Sequence, residues 1–203
     1  MPAAVEGRRR LQPDERKKLL LNDAIEVFAR RGIGRGGHTE IAQQAGVSVA
    51  TVFNYFNTRE ALVGAVLDEV ESFLLNLAER VYEDAENPVD GIKNHIQAFL
   101  KACEENSNYI KVWLEWSASV REDTWPRYIE FQTRLLEIIT AQVELAIKEG
   151  LLIDGLAPIE RARWAIGNAH MLVSMVFSPM GKPDGMEEMV ERGFNHIIGI
   201  RES

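Results

Sequence analysis

The residues from Thr39 to Tyr55 carry the strongest chemical signal in the chain. Ala42 is small enough to let two helices approach, and Gly46 can take the positive φ of a tight turn. Ile41, Val47 and Val52 supply apolar anchors on both sides of that turn. Ser48 is placed to cap a second helix, which leaves Val49, Ala50, Thr51, Asn54 and Tyr55 facing outward. Such a set suits the edge of a base pair. Short side chains let a helix sink into the major groove, Asn pairs with a base edge, and Val or Ala touches a thymine methyl. The chemistry is recognition rather than bond-making.

Other constellations are weaker. Gly32, Gly34 and Gly37 have the spacing of a dinucleotide loop, but an amphipathic helix precedes them where that motif needs a strand. Gly181-Lys182 lacks the upstream glycine of a phosphate loop. His38, His95, His170 and His196 are scattered, with no pair four apart, so neither a metal site nor a cofactor is expected. Cys103 is the one cysteine; it excludes an intramolecular disulfide and reads as a small core residue. An enzyme is the rival class, and no nucleophile–base pair or metal cluster supports it.

The elements that position these residues are helices. Apolar stripes at helical spacing run through almost the whole chain and no stretch alternates as a strand does, so an all-α fold of nine or so helices is expected. The first begins at Pro13, with Asp14 and Glu15 favoured by the helix dipole, buries Leu21, Ala24, Ile25 and Phe28, and stops at Gly32. Short helices over residues 39–44 and 48–55 flank a turn at 45–47. Asn57 and Glu60 suggest a capping box for a long helix to about Asp84. Further helices are expected over 88–105, 107–119, 125–149, 158–177 and 184–200. The resulting plan is an arm and three-helix head in residues 1–56 and a helical body in 57–203.

Charge supports that plan. The net charge of −8 conceals an asymmetry: residues 1–60 hold 10 basic against 7 acidic side chains, and residues 61–203 hold 13 against 24. A basic end on an acidic body suits a protein that presents one end to a polyanion. No segment reaches the roughly 20 apolar residues of a membrane span, and no apolar run follows Arg8, Arg9 and Arg10 as a secretory leader would require. A cytoplasmic protein with no membrane partner is expected.

EIAQQAGVSVATVFNYFNTREALV, from Glu40 to Val63, resembles the DNA-binding signature of the TetR family in residue type and spacing. EVFARRGIGRGGH from Glu26, VSVATVFNYF, and KVWLEWSAS (Lys111 to Ser119) followed by Trp125-Pro126 resemble the HapR/SmcR/LuxR-type branch, the TetR-type master regulators of quorum sensing. The resemblance implies a helix-turn-helix head, a dimerising body with a ligand pocket, and a homodimer on a partly palindromic operator. It also implies a basic arm in the minor groove, and Arg8, Arg9 and Arg10 stand where such an arm would leave; a plain tail is the alternative. Many relatives carry Lys at the position of Val49 and Tyr at that of Phe53. Their loss here removes phosphate contacts and shifts weight to the arm and to base-edge or shape readout.

Expected DNA contacts are therefore Arg8, Arg9, Arg10, Thr39, Ser48, Val49, Ala50, Thr51, Asn54, Tyr55 and Arg59. Trp113 and Trp116 are three apart and share a helix face. With Leu74, Leu77, Tyr128, Gln132 and Asn168 they line either a pocket for a small apolar ligand or a solid core. Ala162, Ala165 and Ala169, with the apolar stripe of Phe194, Ile197 and Ile198, are the expected dimer surface. A ligand-released repressor of a transport or metabolic operon is the alternative within the same family.

Overall fold

The computed structural model describes residues 12–153 and 155–200, so the expected Arg8–Arg10 arm lies outside the described residues. Among these, nine α-helices and a single antiparallel bridge between Leu152 and Ile200 make up the regular structure. The chain divides into two compact units between Leu67 and Asp68. That division falls inside a helix, eleven residues beyond the turn at residue 56 where the sequence places the boundary.

In the first unit, α1 (Pro13–Arg31) opens with proline at its first turn, and the Glu15 carboxylate accepts from the Gln12 backbone N–H at 3.0 Å. It closes at Gly32, whose φ of 91° lies where only glycine is comfortable. Its buried stripe is Leu20, Ala24, Ile25, Val27 and Phe28, while Leu21 is only half-buried. Three consecutive leucines at 19–21 leave the phase of the stripe open in the sequence, and the fold buries the middle one. Helices α2 (His38–Ala45) and α3 (Val49–Tyr55) turn about Gly46, left-handed at φ 64° and ψ 36°, and bury Ile41, Ala42, Val52 and Phe56 between them and α1. Helix α4 (Arg59–Glu83) is capped by Thr58, whose hydroxyl accepts from Ala61 N–H at 3.0 Å; the expected Asn57–Glu60 box is displaced by one residue.

The second unit contains the rest of α4 with α5 (Pro88–Glu105), α6 (Ser107–Ser117), α7 (Trp125–Lys148), α8 (Pro158–Val176) and α9 (Met186–Ile198). Asn87 caps α5 by accepting from Asp90 N–H at 3.0 Å. A Cβ at Gly91 would come within 2.8 Å of the Tyr82 ring, so glycine there permits the close approach of α4 and α5. The core of Ile92, Ile139, Val143, Ala162, Ile166, Phe194 and Ile198 joins α5, α7, α8 and α9. Buried Arg161 donates to the carbonyls of Leu156 and Ile153 at 2.8 Å each and to that of Ile198 at the end of α9, where the helix dipole favours a cation. Among the described residues no helix is long and apolar enough to cross a membrane.

Candidate nucleic-acid interface and body cavity

Helix α3 is short and held from beneath. The Ser48 side chain accepts from Thr51 N–H at 3.1 Å, and the two hydroxyls lie 2.8 Å apart, so both residues serve the cap. Val52 is fully buried and roots the helix. Val49 (38% exposed), Ala50, Phe53 (44% exposed) and Asn54 share the outer face; Thr51 and Tyr55 are half-buried at its margins. Thr39 is exposed in the first turn of α2.

Phe53 was missing from the expected contacts. It stacks on His38 with centroids 3.9 Å apart and planes 7° from parallel, while His38 Nε2–H donates to the Phe56 carbonyl at 2.6 Å. The histidine is buried and ties the start of α2 to the end of α3. A separation of 15 residues between His38 and Phe53 leaves no periodic signal for this contact in the sequence.

Arg59 is spent differently from the expectation. Its guanidinium donates to the carbonyls of Gly36 and Ile33, both at 2.6 Å, and so braces the glycine-rich connection between α1 and α2. That connection has no helix to absorb its carbonyls, and an arginine fork answers two at once. Gly36 itself is obligatory for packing, since a Cβ there would sit 2.6 Å from the Phe28 ring. Lys17, Lys18, Arg30, Arg31 and Arg35 remain exposed on the first unit, with Arg30 also donating to Gln44 at 3.0 Å.

The second unit holds a cavity of about 240 Å³ that opens to the surface. Of the expected ligand residues, Leu74, Trp113 and Asn168 line it, while Leu77, Trp116, Tyr128 and Gln132 do not. Trp116 is fully buried, donates its indole N–H to the Thr124 carbonyl at 3.0 Å, and packs against Tyr128 and Phe131 at 5.5 Å each. Residues three apart on a helix differ by about 60° in direction. That offset sends Trp113 to the cavity and Trp116 into a solid aromatic cluster. Gln132 borders a separate recess with Arg163 and His170.

The polar part of the cavity wall was not anticipated. Tyr82 and His95 line it, and the Tyr82 hydroxyl lies 2.9 Å from His95 Nδ1. Both are half-buried, and the side chains around them in the cavity wall are mostly apolar. Burial pushes the His95 imidazole down to about 4 and raises the Tyr82 hydroxyl, so the pair is neutral across the physiological range.

The expected dimer residues face inward. Ala162, Phe194 and Ile198 are buried within the single chain, and Ala165, Ala169, Phe194 and Ile197 line the cavity. Val190, Phe194 and Ile198 of α9 cover α5 and α8 of their own chain, while Met189 stays 38% exposed. What remains outside on α8 is a different stripe, with Trp164 57% and Met171 43% exposed and Gly167 between them.

Residues 20–66 match the family of bacterial regulatory proteins, tetR family. Over 148 residues, 72% of both chains, the sequence is 43% identical to the HTH-type transcriptional regulator LuxR of Vibrio harveyi. The chain belongs to the TetR family. It is accordingly an HTH-type transcriptional regulator that binds DNA, and that membership places it outside the enzymes. The fold agrees with solved members. A TetR-family transcriptional regulator from Agrobacterium tumefaciens superposes with a TM-score of 0.81 at 14% identity, covering 94% of this chain and 100% of that one. AibR, solved with isovaleryl coenzyme A and operator DNA, gives 0.73 at 18% identity, covering 92% and 100%. In this TetR-family member, α2 and α3 have the helix-turn-helix arrangement, in which the second helix is generally the one that enters the major groove.

Proposed function

We propose that this regulator reads a partly palindromic operator as a homodimer in the cytoplasm, in the manner of a quorum-sensing master regulator. Residues 1–56 supply the arm and reading head and 57–203 the body. The observation that carries the reading is the outer face of α3, where Val49, Ala50, Phe53 and Asn54 stand exposed on a helix fixed by the Ser48 cap and the buried Val52. The face is apolar with one amide, so sequence is read by Asn54 and by methyl contacts rather than by charge. Arg8, Arg9 and Arg10 supply phosphate or minor-groove contacts beside it. The similarity to LuxR supports the quorum-sensing assignment.

Two reading heads require a two-fold partner, and the outward stripe of α8 is the surface we assign to it. Trp164, Gly167 and Met171 are spaced by three and four on one face, and a Cβ at Gly167 meets nothing within 4 Å in the single chain. Glycine there lets a second helix approach closely.

Asn54→Ala tests the reading directly. Affinity for the cognate operator falls by roughly 1–3 kcal/mol and affinity for random DNA is unchanged. Equal losses on both would remove Asn54 from base readout. Replacing Arg8, Arg9 and Arg10 by Ala flattens the dependence of log K on log salt, because fewer counterions are released.

The cavity favours a second reading, in which a small molecule modulates DNA binding. AibR was crystallised in complex with isovaleryl coenzyme A and operator DNA. Here α4 contributes Leu74 and Tyr82 to the cavity, while its residues up to Leu67 fall in the same compact unit as α1, α2 and α3. A ligand acts on DNA binding only through its differential affinity for alternative placements of that helix.

A further inference from the structure

We infer that the body cavity selects an electrically neutral, largely hydrocarbon ligand with one hydrogen-bonding group, which it addresses through the Tyr82–His95 pair. The inference rests on the reading of this cavity as a ligand site.

The wall sets the charge. Among the described residues no Asp, Glu, Lys or Arg lines the cavity, and Tyr82 and His95 are the titratable groups on its wall. An ion entering it would lose its hydration and meet no counter-charge. A carboxylate would find a neutral imidazole rather than a cation, because burial holds His95 unprotonated at cellular pH.

The wall offers few polar groups. Asn168 donates one amide N–H to the Trp164 carbonyl of its own helix at 2.8 Å, which leaves its Oδ1 and second N–H as a lesser polar point beside the pair. Tyr82 and His95 share one hydrogen bond through Nδ1, and no bond to His95 Nε2 is found among the described residues. With the Tyr82 hydroxyl donating, Nε2–H is a donor; with Nδ1–H donating, Nε2 accepts and the phenol donates. Either tautomer offers hydrogen bonding to a hydroxyl, carbonyl or amide without gaining charge. The remainder is aliphatic, aromatic or thioether surface. Met189 and Gly193 on α9 line the cavity and are also exposed, so it reaches the surface along α9 past a flexible thioether.

Four probes of one shape separate these properties on the full-length protein: 4-phenylbutan-1-ol, 4-phenylbutyrate, 4-phenylbutylamine and butylbenzene, each titrated calorimetrically at neutral pH. The alcohol binds at least tenfold more tightly than either ion. His95→Leu lowers the alcohol's affinity severalfold, towards that of butylbenzene, and leaves butylbenzene unchanged. Ala169→Phe, which fills the cavity from α8, removes all binding; should that variant not fold, Leu74→Trp fills it from α4. Carboxylate or amine binding as tightly as the alcohol, and lost on filling, overturns the neutral selectivity while leaving a ligand site in place. An alcohol affinity that His95→Leu does not change overturns the role of the pair. No binding of any probe overturns both the selectivity and the ligand reading beneath it.

Discussion

Helices α3 and α9 both present a face that periodicity marks as available, and only one of them is free. Helix α3 has seven residues and one fully buried anchor, Val52, so its outer side has nothing of its own chain to cover it. Helix α9 has thirteen residues, and Val190, Phe194 and Ile198 are buried within the same chain. A strongly amphipathic helix in a body of this size finds its partner internally. A short helix braced by its neighbours keeps a face for another molecule. An apolar stripe on a sequence therefore argues for burial, and says little about whether the covering surface is the chain itself or a second copy.

The largest expected effect sharpens the distinction between solid core and cavity wall in the body. Trp116→Ala costs about 3–5 kcal/mol in urea unfolding, because a fully enclosed ring and its hydrogen bond to Thr124 are lost together. Trp113→Ala, beside an existing void, costs less. Equal losses would mean that the cavity wall is packed like the core.

In the head, Arg59→Lys keeps the charge and loses the fork. About 1–3 kcal/mol of stability goes with the paired hydrogen bonds to Gly36 and Ile33, measured by chemical denaturation. If stability is kept but affinity for every DNA falls, Arg59 touches phosphate after all.

A smaller effect belongs to His95. Its imidazole is held near 4 in the folded chain against 6.5 ordinarily, so the unfolded chain binds the extra proton between those values. Stability is full above pH 6.5 and declines as pH falls towards about 4, by at most ~1.4 kcal/mol per pH unit. His95→Phe flattens this slope in melting experiments; an unaltered slope would show that His95 is hydrated in the native state.

The smallest effect is at Gly167. Replacing it with Ala adds about 0.5–1 kcal/mol to the stability of the single chain, through helix propensity, and weakens the dimer in sedimentation. A dimer as strong as before would move the interface off this stripe.

These contrasts also explain what could be read from the sequence. The helix-turn-helix was readable because its signals are local: a small residue, a turn glycine, a capping serine and two anchors lie within twelve residues. The nine-helix fold followed from periodicity. The cavity's polar wall was not readable, because Tyr82 and His95 meet across two helices and a lone histidine looks like any other. Trp113 and Trp116 looked equivalent since a three-residue spacing suggests one face, and only the positions of α7 and α8 separate them. His38 failed as a signal for the same reason as His95: its partner is distant in sequence and becomes near only after folding.

In the proposed function, two copies of α3 read one operator together. Hydroxyl-radical footprinting of the full-length protein on a site recovered by genome-wide mapping tests it most directly. Two protected half-sites related by a dyad are expected, with centres about 10–10.5 base pairs or a multiple of that apart, and both patterns are lost with Asn54→Ala. A single protected half-site, or the same protection on scrambled DNA, would contradict it.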